Sequence, residues 1–198
     1  MDWSQYYNDS LSLESLLGNL YGQRDFLAAI QKSGAKTILE VGSGSGGMAI
    51  FLSWLGFEVL SIDIEPAVVA KAEAENKRLN GSAKFQVADG FNLPFSPNQF
   101  DLAIHQGLLE HFSDEDIHRL LNEQLKCAKQ VLFSVPNSNY MRRDFGNERL
   151  MNKARWESIL APYRILDSTN YSYKRLPRFY IPRAQIQYMA RIESKHDH

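Results

Sequence analysis

Gly42, Gly44 and Gly46 follow directly on the apolar run Thr37-Ile38-Leu39-Glu40-Val41 and precede a helix-like stretch, Gly47 to Leu55 (GMAIFLSWL). A glycine turn between a strand and a helix lets a ligand approach the backbone closely, and the helix start beyond it offers unpaired N–H groups. Gly42, Gly44 and Gly47 also satisfy the spacing G-x-G-x-x-G, and Asp63 stands 21 residues after Gly42. A carboxylate at that place can accept hydrogen bonds from ribose hydroxyls. The spacing leaves a dinucleotide-binding, hydride-transfer protein open. Glu40 argues for another ligand. A carboxylate at the end of a buried strand is costly without a positive or hydrogen-bonding partner. A pyrophosphate would be a poor neighbour for it, and a cationic ligand a good one.

The elements that must position these residues alternate in type. Strand-like runs are Thr37 to Val41, Phe57 to Ile64, Ala83 to Ala88, Phe100 to His105 and Val131 to Val135. Helices are expected at Gln23 to Gln31, Gly47 to Leu55, Pro66 to Leu79 with Pro in the first turn, and from the Ser113 cap to about Lys129. This β-α-β-α-β-β-α-β order predicts an α/β fold, an open parallel sheet with helices on both faces and right-handed crossovers. Beyond Pro136 come a helix, Met151 to Leu160, and two last strands, Arg164 to Tyr173 and Ile186 to Ile192. The Pro-rich stretch Tyr173 to Arg183 reads as the crossover between them.

Composition excludes several classes. The 198 residues are 44% hydrophobic and 23% charged, the balance of a folded globular chain. One cysteine, Cys127, permits no intramolecular disulfide and no Cys-based zinc cage, and reads as a buried small residue. The start lacks the basic and apolar regions of a secretory signal, and no apolar run approaches a membrane span, so a cytoplasmic protein without a membrane partner is expected. The net charge of −1 hides an asymmetry: residues 1–135 hold ten basic and seventeen acidic residues, residues 136–198 twelve and six. A basic last third suggests an anionic partner, or simple complementarity within the fold.

The stretch ILEVGSGSG resembles the first motif of the class I S-adenosylmethionine-dependent methyltransferases. Further motifs follow in that family's order: VLSIDIEP with Asp63, VADGFNLPF with Asp89, FDLAIHQGLLEHF with Glu110-His111, and VLFSVPN. The similarity covers residues 24–137 well. It implies a Rossmann-like, doubly wound, mostly parallel seven-stranded sheet ending in an antiparallel strand pair. One domain over 1–198 is expected, with a lead-in at 1–22, a cofactor core at 23–137 and a substrate side at 138–198. It also implies roles. The backbone from Gly42 through Ser43 and Gly44 to Gly46 would wrap the methionine part of S-adenosylmethionine. Glu40 would serve its amino group, Asp63 its ribose hydroxyls, Ile64 and Gly90 its adenine, Asp89 the adenine amino group. Gln106 would flank the methionine end. The co-product would be S-adenosylhomocysteine.

The acceptor side is less constrained. His105 and His111 are candidate general bases, needed only if the acceptor must lose a proton. Tyr6 or Tyr7 in the lead-in, and Tyr140, Arg142 and Arg143 after the fifth strand, are candidate substrate contacts; arginines suit a carboxylate or phosphate. A small-molecule acceptor is the reading adopted, with an anionic group on it as the finer expectation. An RNA or protein methyltransferase, a NAD-type oxidoreductase and a non-catalytic partner subunit stay open. The basic and aromatic residues of Tyr173 to Arg183 are a small footprint for nucleic acid. The sequence leaves monomer or homodimer undecided.

Overall fold

Branched and apolar residues on both faces mark strands buried between two helical layers. In β1 (Thr37–Val41) every residue from Ile38 onward is buried, and in β5 (Ala128–Pro136) every residue from Val131 onward. The computed structural model describes residues 11–141, 146–172 and 185–195. Within these, β1 and β5 join β2 (Glu58–Asp63), β3 (Lys84–Val87), β4 (Phe100–Gln106), β6 (Arg164–Tyr171) and β7 (Gln187–Glu193) in one seven-stranded sheet, ordered β3-β2-β1-β4-β5-β7-β6. Strands β1 to β5 are mutually parallel. β7 runs antiparallel to both β5 and β6, which gives the expected terminal pair. The strand order reverses between β1 and β4. That switch point opens a crevice at the carboxyl ends of the strands, where open α/β sheets bind ligands.

Successive side chains of β4 go to opposite faces. Leu102 and Ile104 pack with Phe26 and Ile30 of α2 (Arg24–Ser33) and Leu52 of α3 (Gly47–Trp54). Ala103 packs on the other side with Ile117, Leu120 and Leu121 of α5 (Asp114–Cys127) and Trp156 of α6 (Lys153–Ile159). α4 (Pro66–Arg78) completes the crossover between β2 and β3. Ser113 caps α5 as expected, accepting from the Asp116 amide at 3.1 Å. Cys127 is buried, its Sγ donating to the Gln124 carbonyl.

Two elements differ from the sequence reading. The described part of the lead-in is helical: α1 (Leu13–Gly22) precedes α2 with a single residue between them. Its Gly18 and Gly22 lower helix propensity, but Leu16 is buried against the turn at Gly47. Tertiary burial therefore makes the helix, while Leu13, Leu17 and Tyr21 stay exposed. β5 also starts at Ala128, directly after α5, so no loop separates them.

His105 is the main correction. It ends no open edge: it is 1% exposed, both ring nitrogens lack a partner among the described residues, and the ring stacks on Phe133 at 5.5 Å between centroids. Burial lowers its imidazole to about 3. Held neutral in the core, it is not placed to exchange a proton with a ligand. The unfolded imidazole titrates near 6.5. Below that pH the unfolded chain takes a proton that the folded chain refuses. This costs up to about 1.4 kcal/mol per pH unit as pH falls. His105→Leu should flatten the acid limb of stability in denaturant titrations between about pH 6.5 and 5. An acid limb unchanged by the substitution would contradict the placement.

Candidate functional site

The crevice at the β1/β4 switch holds a cavity of about 280 Å³. Its floor is the glycine turn, with Val41, Gly42 and Gly44 on the lining. Gly42, Gly44 and Gly46 have positive φ, at 87°, 48° and 76°. At Gly46 a Cβ would also stand 2.9 Å from the Cβ of Ala72, so only glycine lets the turn approach α4. The amides of Gly42 and Ser43 donate to the Ile62 carbonyl at 2.8 and 3.0 Å, which ties the turn to β2. The three strained positions are thus 42, 44 and 46. Gly47 is the first residue of α3, so the apparent G-x-G-x-x-G spacing does not describe the turn.

Two carboxylates line the same cavity. Asp63 ends β2 and accepts from the Glu65 amide at 3.1 Å; Asp89 follows β3 and accepts from the Phe91 amide at 2.9 Å. Each uses one oxygen to hold its own turn, and the turn presents the residue to the cavity. Ile64, 59% exposed, and Gly90 lie beside them on the lining and offer an apolar surface to a flat ring. Gln106 reaches the cavity from β4 and hydrogen-bonds Gln23 at the start of α2.

Glu40 lies behind the turn, 7% exposed and off the cavity lining. Its Oε2 accepts from Ser61 Oγ at 2.5 Å. Burial pushes its carboxyl up to about 8, against the pull of that hydrogen bond, and the charge of Asp63 adds to the rise. Ser43 and Gly46 are likewise part of the turn without lining the cavity.

His111 lies on the lining, in the short 3-10 turn Leu109–His111. Its Nδ1 is 2.8 Å from Asn147 Oδ1, and its Nε2 is 4.0 Å from Glu110 Oε1. Glu110 is buried, and that burial raises its carboxyl to about 8, with the charge of Glu148 adding to the rise. Arg149 bonds the Phe112 carbonyl and Asp114, and so pins the segment after β5 onto this turn. Tyr140 is partly buried and off the lining. Tyr6, Tyr7, Arg142, Arg143 and the stretch 173–183 lie outside the described residues.

Several site residues escaped the sequence reading. Phe91 and Phe112 meet edge to face at 5.4 Å and wall the cavity with Leu108 and Leu120. Asn147 reaches His111 across 36 residues of chain. Phe91 had a local signal, standing two residues after Asp89 in VADGF; Asn147 had none. Among the described residues no group of three or more His, Cys, Asp or Glu side chains is placed to hold a metal ion. No described helix is long and apolar enough to cross a membrane.

Residues 38–130 match the family described as a methyltransferase domain. The chain is 26% identical over 135 residues to phosphoethanolamine N-methyltransferase 1 of Triticum aestivum, covering 64% of this chain and 27% of that protein. It is 35% identical over 83 residues to the chloroplastic tocopherol O-methyltransferase of Arabidopsis thaliana, covering 40% and 24%. The chain thus spans about a quarter of the length of these curated relatives. Among solved structures it resembles magnesium protoporphyrin IX methyltransferase of Synechocystis PCC 6803 with bound S-adenosylhomocysteine. The TM-score is 0.66 at 16% identity, over 98% of this chain and 93% of that one. At that identity the likeness is one of fold. With the glycine turn, Asp63 and Asp89 set around one cavity of that sheet, residues 38–130 match a methyltransferase domain, and the sheet around them has the fold of a solved methyltransferase that holds S-adenosylhomocysteine.

Proposed function

We propose that the protein transfers a methyl group from S-adenosylmethionine to a small-molecule acceptor. The observation that carries this reading is the pair of carboxylates, Asp63 and Asp89, on one cavity above the glycine turn. They suit a ribose diol and an adenine amino group, with Ile64 against the ring. Glu40, buried and short of a counter-charge, suits a cationic amino group. When bound, the cofactor supplies an electrophilic methyl on a positively charged sulfur. An acceptor lone pair forms the new bond to that carbon, and the old carbon–sulfur electron pair stays on sulfur as the thioether. The protein's part is mainly to hold donor and acceptor in line.

Side-chain chemistry is needed only where the acceptor must lose a proton. His111 is the cavity histidine that can take it. The Asn147 amide oxygen, as placed, accepts from Nδ1–H and so favours the tautomer whose Nε2 is basic. His111→Ala should lower kcat about a hundredfold for a hydroxyl or ammonium acceptor and leave the cofactor Kd within threefold. Turnover near the wild-type rate would remove His111 from the chemistry.

The finer reading is an acceptor bearing an anionic group, met by Arg142 and Arg143. Support comes from the basic last third of the chain and from the phosphate of phosphoethanolamine, the substrate in the wheat relative's name. A screen of phosphorylated and carboxylated amines and alcohols with labelled cofactor tests it. A KM that does not rise when both arginines are replaced by glutamine would refute it.

A further inference from the structure

Glu40 and Ser61 face each other in register across β1 and β2, both deep in the sheet. Ser61 is 0% exposed. Its Oγ donates to Glu40 Oε2 at 2.5 Å and lies 2.9 Å from Ser43 Oγ. The Ser61 hydroxyl is placed to donate to either oxygen, and the shorter contact, to the carboxylate, takes its one proton, so Ser61 stands between Ser43 and Glu40. It links the first turn residues to the second strand through side chains, in parallel with the amide bonds from Gly42 and Ser43 to Ile62.

We propose that Ser61 is a positioning residue for the cofactor: its hydroxyl orients the Glu40 carboxylate and keeps it available as an anion for the cofactor's amino group. This rests on the proposed function. The surroundings of Glu40 offer little else to favour the anion. Its partner on β4 is Ile104, and α3, which begins where the turn ends, carries no ionisable side chain (GMAIFLSW). Asp63 on β2 is a like charge and opposes ionisation, as burial does. Ser61 is the hydrogen-bond donor that works the other way. Removing it should leave Glu40 more fully protonated at neutral pH and less well aimed, and both effects weaken the grip on an ammonium.

Calorimetry with S-adenosylhomocysteine and, separately, adenosine tests this. Adenosine keeps the ribose and adenine but lacks the amino-acid part. At pH 7, Ser61→Ala should raise the Kd for S-adenosylhomocysteine about tenfold. The Kd for adenosine should stay within twofold. In a Glu40→Gln background, Ser61→Ala should add less than twofold, because the two residues act as one unit. The ratio of variant to wild-type Kd should narrow from pH 7 to pH 9.5, as Glu40 ionises in both proteins. Titration of the cofactor's own amine cancels in that ratio.

If Ser61→Ala does not fold, Ser61→Thr and Ser61→Cys take its place. The retained hydroxyl should keep affinity, and the weak thiol donor should lose severalfold. Equal losses for both ligands, or a full Ser61 effect persisting without the Glu40 carboxylate, would make Ser61 merely structural and overturn the proposal. So would an unchanged Kd for S-adenosylhomocysteine. A wild-type protein that binds neither ligand would instead overturn the methyltransferase reading on which the proposal stands.

Discussion

Asp63→Ala is expected to weaken S-adenosylhomocysteine binding more than a hundredfold. A ribose diol would give Asp63 two hydrogen bonds to a charged acceptor, each contributing about 1.5–3 kcal/mol. Losing both removes about 3 kcal/mol or more, which is at least two powers of ten in Kd. The same carboxylate holds the turn into α4 through the Glu65 amide, so a modest loss of stability should accompany the change. Asp63→Asn separates the two roles. The amide oxygen can still accept from Glu65, while the charge is gone, so stability should recover more fully than affinity. Paired calorimetric and thermal titrations of the two variants check this. Binding by Asp63→Ala within threefold of wild type would show that the ribose is held elsewhere.

Trp156→Ala is expected to be the most damaging single truncation for stability. Trp156 is completely buried at the join of α6 with the sheet. Its ring stacks on Tyr188 of β7 at 6.1 Å and tilts against Phe133 of β5 at 5.7 Å. Removing it leaves a void between a helix and two rigid strands that cannot close over it. Truncations of this kind cost about 3–5 kcal/mol. For a chain of this size that lowers Tm by on the order of 10 °C. Trp156→Phe keeps most of the contact area and drops the indole N–H, which has no partner among the described residues. It should lose less than half as much. Urea unfolding of the three proteins gives the comparison. A cost for Trp156→Ala below about 1 kcal/mol would mean that α6 is not packed as described.

The candidate residues that the fold brings to one cavity are those built locally. The glycine turn, Asp63 and Asp89 each sit within a few residues of a strand end, where residue type and spacing carry the geometry. Ile64 and Gly90 follow from the same motifs. His105 was misplaced for a physical reason. Its neighbour Gln106 extends the strand by one residue and takes the place on the cavity, leaving His105 stacked on Phe133 inside the sheet. Strand periodicity says that neighbours alternate, but not where the strand ends. Gly47, read both as the helix start and as the last glycine of a G-x-G-x-x-G spacing, is the helix start, and the φ angles decide which glycines form the turn.

What stayed illegible depends on contacts between distant segments. Asn147 reaches His111 because Arg149 pins the chain after β5 to the turn before α5. Helix α1 exists because Leu16 finds Gly47. The Ser61–Glu40 pair needs the parallel register of β1 and β2, which no local pattern states. Arg149 is likewise engaged far along the chain, with Asp114.

The central claim is that this cavity holds S-adenosylmethionine and not another nucleotide. Isothermal titration of the wild-type protein with S-adenosylhomocysteine and, in a second cell, with NADH tests it most directly. A single site with micromolar Kd for S-adenosylhomocysteine and no heat with NADH is the expected result. Saturable NADH binding with S-adenosylhomocysteine silent would contradict it and return the glycine turn to a hydride-transfer cofactor.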